Sequence, residues 1–168
     1  MNKNLNKAIK IIAILPYTRM IALTGSYAEK RARPDSDIDL FIQVKEGRIW
    51  TARLIVTLAI ALAGIRRTDS NKAGRICLNW FATYNAPEKQ KGRVYQIVWA
   101  DRSTHQQTNS NIKSIIEFLI TPLQILGLEK FVRYWQIKRI EADPRTSQPG
   151  SSVRFNDREL GFHPLKAK

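Results

Sequence analysis

The chain is poor in residues that build redox centres and metal clusters. It has one cysteine, Cys77, and two histidines, His105 and His163, in 168 residues. One thiol excludes an internal disulfide. A lone cysteine in an apolar strand-like run reads as a core residue of a reducing compartment. The histidines lack metal-ligand spacing and read as loop residues, with His105, close in sequence to Asp101, a stand-in base at most. Acidic residues are also scarce, 14 against 28 basic ones, for a net charge of +14. That balance is an electrostatic footprint for nucleic acid, nucleotides or an anionic surface, although charge steers without specifying. Long apolar runs are missing. The longest, residues 54–65, is interrupted by Thr57 and is too short for a bilayer core of about 30 Å. The Lys-bearing N-terminal stretch contains Lys10, has helical periodicity and lacks a cleavage pattern. The expectation is a structural helix, no membrane association and a cytoplasmic protein.

What is present suits one domain with a small appendage. Leu5, Ala8, Ile9, Ile12 and Leu15 form a helical stripe ended by Pro16. Residues 16–24 read as a strand, with Met20, Ala22 and Thr24 on one face and Ile21 and Leu23 on the other. Residues 47–63 read as a helix apolar almost all round, hence buried against a sheet, with Gly64 as its stop. A basic loop, 65–74, leads to two strands, 75–84 and 93–100, joined by 85–92. Ile112, Ile115, Ile116, Leu119, Ile120 and Leu123 then follow helical spacing, with Pro122 expected to kink or end the helix. Leu128, Phe131, Val132 and Trp135 make a second stripe. The pair reads as a helical hairpin. It is either a lid on the sheet or a surface presenting Lys130, Arg133, Lys138 and Arg139. Trp99, Tyr134 and Trp135 are able to stack bases or to fill a core. The fold class is α+β: a small mixed sheet flanked by helices, followed by a C-terminal helical hairpin. The expected divisions are a core over 1–103, the hairpin over 104–142, and a loop and basic tail over 143–168.

The most informative stretch runs from Thr24 to Leu40. A Gly25-Ser26 turn follows the first strand, and Asp37 and Asp39 open a second, Ile38 to Val44. Carboxylates at i and i+2 of a strand leave the same face, roughly 7 Å apart at Cα. Unpaired, they repel. Divalent cations relieve that repulsion and create a site for in-line phosphoryl chemistry, and Mg²⁺ suits a few carboxylates plus substrate phosphates. Gly25 permits a tight turn. Ser26 is placed to cap the short helix that follows, whose N-terminus is an anion site. The alternative is an Asp-rich turn paired with Arg31 and Arg33.

These residues resemble the nucleotidyltransferase fold of the DNA polymerase β superfamily. Its pattern is Gly-Ser-x-Ala-x-Gly, then Ser-Asp-x-Asp-hydrophobic. Gly25, Ser26, Ala28, Ser36, Asp37, Asp39 and Leu40 fall on it without a gap. The resemblance implies transfer of a nucleoside monophosphate from an NTP to a hydroxyl, with release of pyrophosphate. It implies a two-metal Mg²⁺ site on Asp37 and Asp39. Gly25, Ser26 and Ser36 would lie around the nucleotide, with Lys30 and Arg33 (and Arg31) neutralising charge. Two departures stand out. Lys30 replaces the second glycine, which would end the helix in a left-handed conformation. The third carboxylate, expected on a strand beside the Asp-x-Asp strand, has no counterpart. The best candidate strand carries Cys77, Asn79 and Phe81 on its alternate face. Asn79 offers a metal a carbonyl oxygen but cannot act as a base. Asp101 is a weaker substitute. The alternative function is a catalytically degenerate fold that binds nucleic acid or protein. Small members of such families also include antitoxin-like enzymes that modify a protein hydroxyl.

Overall fold

The computed structural model describes residues 2–84, 95–101, 107–144, 146–147 and 153–162. Among the described residues, five helices and six strands follow one another as α1 Lys3–Ala13, β1 Thr18–Thr24, α2 Gly25–Ala28, β2 Ile38–Val44, α3 Ile49–Leu62, β3 Ile76–Thr83, β4 Gln96–Ala100, α4 Gln107–Ile125, α5 Leu128–Glu141, β5 Arg154–Phe155 and β6 Glu159–Gly161. The strands form one mixed sheet in the order β4-β1-β2-β3-β6-β5. The expected α+β class, with a mixed sheet and a following helical pair, is what the chain adopts. His105, His163 and the 85–92 connection lie outside the described residues.

Two strands give the sheet its centre. β1 and β2 pair antiparallel, with Thr24 opposite Asp39. β2 and β3 pair parallel, with Asp39 opposite Cys77. A parallel pair needs a crossover, and α3 supplies it. This helix is apolar almost all round, as its sequence suggests, and buries Ile49, Trp50, Ala52, Val56 and Ile60. Gly64 follows with φ +70°, the left-handed geometry that closes a helix at low cost in glycine. The main core lies on one sheet face and joins Leu5, Ile12, Ile21, Leu40, Ile42, Trp50, Val56, Phe81 and Val132. The other face holds a smaller cluster of Ala22, Phe41, Trp80 and Ala82.

Two expectations of the strands need correction. β3 does not alternate cleanly: Asp39 faces Cys77, but Phe41 faces Trp80, so β3 contributes one extra residue there. This bulge puts Phe81 in the main core and Trp80 on the opposite face. Phe81 therefore does not share a face with Cys77. The two strands on either side of 85–92, β3 and β4, are not sheet neighbours: β4 pairs with β1 on the far edge. Second, the expected loop and tail over 143–168 contains two strands. β6 pairs with β3 through Gly161, Leu160 and Glu159. A three-residue strand has too few residues to display a period, and β3's open edge supplies its partner groups. Pro122 also fails to end α4, which runs on to Ile125.

The helical hairpin packs in an unexpected sense. Of its expected apolar stripe, Ile112, Ile115, Leu119 and Leu123 are exposed, whereas Lys113 and Gln124 are buried. Polar side chains dock the hairpin. Lys113 reaches Thr18 O, and Glu117 accepts from Tyr17 N at 2.9 Å. Gln124 donates to Thr51 Oγ1, and Gln136 donates to Trp50 O at 2.8 Å. Glu129 accepts from Trp50 N at 2.9 Å and Thr51 N at 3.2 Å. Those N–H groups belong to the first turn of α3, where a helix lacks internal partners and carries partial positive charge. The side chain of Arg48, at the N-cap position of α3, makes no capping bond, so Glu129 does that work from another helix. Glu129→Ala is expected to destabilise the protein by about 1–2 kcal/mol, the range for losing a helix cap. Thermal denaturation should show a Tm lower by roughly 3–6 °C, with Glu129→Gln intermediate.

Candidate active site around Asp37 and Asp39

The carboxylates lie where β1 ends and β2 and β3 begin. Asp39 is on the face that also carries Ala22 and Phe41, opposite the main core. Asp37 stands one residue before β2 and is about a quarter exposed. The approach to the strand is stitched down by backbone bonds. Gly74 N donates to Ser36 O at 2.8 Å, and Ile38 N donates to Arg75 O at 2.8 Å. Ser36 Oγ accepts from Arg33 N at 2.9 Å and closes the turn into Asp37. Ser36 therefore shapes the Asp-x-Asp approach, whatever else it touches.

Gly25 stands directly against Asp39. A Cβ at Gly25 would lie 2.3 Å from Asp39 Oδ2, and Gly25 has φ +63°. Only glycine satisfies both conditions cheaply. Ser26 does not cap α2: the helix starts at Gly25, Thr24 occupies the N-cap position, and Thr24 makes no side-chain cap bond. Ser26 sits in the first turn, with its carbonyl accepting from Arg31 N at 2.9 Å. Lys30 adopts φ +55°. It therefore takes the conformation glycine would take, at a backbone penalty of about 1 kcal/mol. Lys30, Arg31 and Arg33 are exposed, and Arg31 is ion-paired with Glu29.

The neighbouring strand supplies no acid. Asn79 donates its amide to Asp39 Oδ1, and Cys77 Sγ donates to Asn79 Oδ1 at 2.7 Å. Asn79 thus presents N–H, rather than its carbonyl, to the carboxylate. The bulged backbone there is held from the tail, where Phe162 N donates to Asn79 O at 2.9 Å. Asp101, the weaker substitute, is excluded. It follows β4 beside Arg19, five residues down β1 from Thr24, roughly 16 Å away by strand rise. Asp101 ion-pairs with Lys113 at 2.6 Å and Arg19 at 3.0 Å. Burial works to raise its pKa, but those two cations outweigh it and hold it below the usual carboxylate value.

Sequence reasoning missed Arg67. It sits in the basic loop before β3, where only its charge drew notice. Its Nε lies 3.1 Å from Asp37 Oδ2, and its Nη1 lies 3.5 Å from Cys77 Sγ. Asp37, Asp39 and Cys77 each bring one ligand atom, all within 4.8 Å of one another. Burial, and then the charge of Asp37, push Asp39 up to about 6, while Arg67 pulls the other way. Burial pushes the Cys77 thiol up to about 11. The arrangement is able to hold a divalent cation on two carboxylates. The third position carries a thiol and an amide.

No curated protein matches this chain. One solved structure, described as a crystal structure of a toxin-antitoxin with AMP-PNP, is similar at 16% identity. The similarity covers 74% of this chain and 94% of that one, with a TM-score of 0.35. The family model of the nucleotidyltransferase domain matches residues 5–91, just over half of the 168 residues. That span holds Gly25, Asp37, Asp39, Arg67, Cys77 and Asn79, and with its Gly-Ser turn and Asp-x-Asp strand the chain belongs to the nucleotidyltransferase domain family of the DNA polymerase β superfamily.

Proposed function

We propose that the protein is a Mg²⁺-dependent nucleotidyltransferase that moves a nucleoside monophosphate from an NTP to a hydroxyl acceptor. The observation that carries this reading is the Asp37–Asp39 pair with Gly25 pressed against Asp39. When bound, the cation neutralises the triphosphate and orients it for in-line attack. Asp37 and Asp39 are the residues that would hold it. The acceptor oxygen forms a bond to the α-phosphorus, the bond to the bridging oxygen breaks, and pyrophosphate leaves with that electron pair.

The chain's own residues divide the remaining work. Gly25 and Ser26 bring the first N–H groups of α2 toward the phosphates, where unpaired helix donors favour anions. Lys30 and Arg33 add positive charge on the same side, as positioned cations do in phosphoryl transfer. Asn79 orients Asp39, and an amide flip would offer the metal its carbonyl oxygen instead. Cys77 retains its proton at neutral pH and Asn79 cannot accept one. Among the described residues the site has no third carboxylate, so the acceptor's proton passes to solvent. The net charge of +14 supports an anionic second substrate or partner, nucleic acid included. The division into a nucleotidyltransferase core over 1–103 and an appended hairpin is part of this proposal. Among the described residues, no helix is long and apolar enough to cross a membrane.

Calorimetric titration with each NTP in Mg²⁺ tests the reading without knowledge of the acceptor. Wild type should bind at least one NTP only when Mg²⁺ is present, and Asp37→Asn/Asp39→Asn should lose that binding with an unchanged far-UV spectrum. Metal-independent binding, or binding untouched by the double substitution, would overturn the assignment. Gly25→Ala should weaken the same binding at least tenfold, because its Cβ displaces Asp39 Oδ2.

The metal-free protein should show a pH signature. Asp39 is raised to about 6 when folded, against roughly 3.9 when unfolded. The folded state then binds the proton more tightly, so stability falls as pH rises from about 4 to 6. In chelator, Asp39→Asn should therefore be more stable than wild type above pH 6, by about 1–2 kcal/mol after allowance for solvent screening. The difference should vanish near pH 4. Saturating Mg²⁺ should reverse the order at pH 7.5, since binding stabilises only wild type. Parallel thermal melts at the two pH values read all three outcomes.

A further inference from the structure

The five side chains at the site form a continuous chain of contacts. Asp37 Oδ2 meets Arg67 Nε, Arg67 Nη1 meets Cys77 Sγ, Cys77 Sγ donates to Asn79 Oδ1, and the Asn79 amide donates to Asp39. Three non-acidic residues thus link the two carboxylates through the side where a third carboxylate would stand. Arg67 is held there by its backbone as well as its side chain. Its N–H donates to Ile76 O at 2.9 Å, Ile76 N donates back to Ile65 O at 2.9 Å, and Arg66 forms a parallel bridge with Ile76. The turn beyond it is closed by Thr68 N to Asn71 O and by Asn71 N to Thr68 Oγ1. Arg67 is only about one-third exposed. Its guanidinium is therefore a fixed feature of the site, unlike the exposed Lys30 and Arg33.

Charge and donor chemistry then limit how many ions the site takes. Two carboxylates and one guanidinium leave a net charge of −1. One divalent ion overcompensates that charge, and among the described residues a second has no further carboxylate to hold it. A pair of divalent ions shares its carboxylates and takes the rest of its ligands from substrate phosphates, and here a guanidinium already occupies one of the two carboxylates. Arginine is always charged and presents planar donors that match carboxylate and phosphate. It is equipped to do what a second cation does: hold Asp37 and face the charge that develops on a transferring phosphoryl group.

We propose that this is a one-metal site in which Arg67 stands in place of the second divalent ion, pairing with Asp37 and acting as the built-in counter-charge to the nucleotide phosphates. The inference rests on the reading of Asp37 and Asp39 as metal ligands. Arg67 is, on this account, a determinant of metal stoichiometry that also competes with the ion for Asp37.

Mn²⁺ is a suitable probe, because the free ion is counted directly by its paramagnetic resonance signal. The full-length protein is titrated with Mn²⁺ at fixed pH, with and without a non-hydrolysable ATP analogue. Wild type should bind one Mn²⁺ per chain in both conditions. Arg67→Gln should bind its Mn²⁺ about tenfold more tightly in the absence of nucleotide, since the competing cation on Asp37 is gone. It should lose affinity for the analogue at saturating Mn²⁺, since the phosphates lose a counter-charge. Arg67→Lys, which keeps the charge, should retain wild-type stoichiometry and much of the nucleotide affinity. Circular dichroism and a thermal melt establish that each variant is folded. Should Arg67→Gln fail to fold, the wild-type stoichiometry and Arg67→Lys still decide the matter. Two Mn²⁺ per wild-type chain would overturn the proposal while leaving the nucleotidyltransferase reading standing. Unchanged Mn²⁺ and nucleotide affinities in folded Arg67→Gln would overturn it too. Absence of Mn²⁺ binding by wild type, or binding indifferent to Asp37→Asn/Asp39→Asn, would remove the metal reading and this inference together.

Discussion

The parallel pairing of β2 with β3 sets Asp39 opposite Cys77, and the chemistry of the site follows from that register. Asp37 and Asp39 leave one strand face side by side, and burial, then the charge of Asp37, lift Asp39 to about 6. Everything nearby is arranged around that charge. Gly25 gives Asp39 room that a Cβ would take away. Asn79 donates a hydrogen bond to it, and Arg67 neutralises its neighbour. Remove that register, and Asn79 and Cys77 would no longer meet Asp39, while Gly25 reaches it through the pairing of β1 with β2.

The site is also supported from a distance. The bulge in β3 puts Phe81 on the face opposite Cys77, and the hairpin of β5 and β6 ties the bulged backbone down. Phe162 N, just past β6, bonds the carbonyl of Asn79. A segment with no visible sequence period thus positions a residue beside the carboxylates. Bulges commonly re-aim side chains near functional sites, and this one lets Asn79 face Asp39 while Phe81 enters the core.

The described part of α4 turns polar groups inward and leaves much of its apolar stripe exposed, whereas α5 places Val132 in the main core. Both charged residues in the described part of α4, Lys113 and Glu117, contact the β1 side of the core. Glu129 and Gln136 of α5 satisfy backbone groups of α3. Helical periodicity correctly indicated two helices here. It gave the wrong inward face for α4 but not for α5, whose Leu128 and Val132 pack on the core, because period measures only that apolar residues share a side. Which side turns inward was decided by unpaired N–H and C=O groups at the start of α3 and the edge of β1, which need polar partners when buried.

Local chemistry made much of the fold and the carboxylate pair readable from sequence. The α1 stripe, the apolar α3 with its Gly64 stop, and the β1 and β2 runs each carry their signal within a few turns or alternations. Gly25-Ser26 and Asp37-x-Asp39 are likewise close in sequence, so strand geometry alone puts the acids on one face. The departure at Lys30, a lysine where glycine is expected, is local too, but whether it strains in the left-handed conformation or ends the turn differently was decided by the fold, which takes the first course. Cys77 and Asn79 were readable as neighbours on one face of a strand, but Arg67, the remoteness of Asp101 and the strand at Glu159–Gly161 were not readable. Each depends on backbone partners tens of residues away. A one-residue bulge or a choice of sheet edge changes which side chains meet without changing any local pattern. Two carboxylates on one strand face behind a Gly-Ser turn are a local property, written between Thr24 and Asp39 of the chain. That an arginine, a thiol and an amide close the site where a third acid is expected is set by strand pairing, because register belongs to pairs of strands and to neither alone.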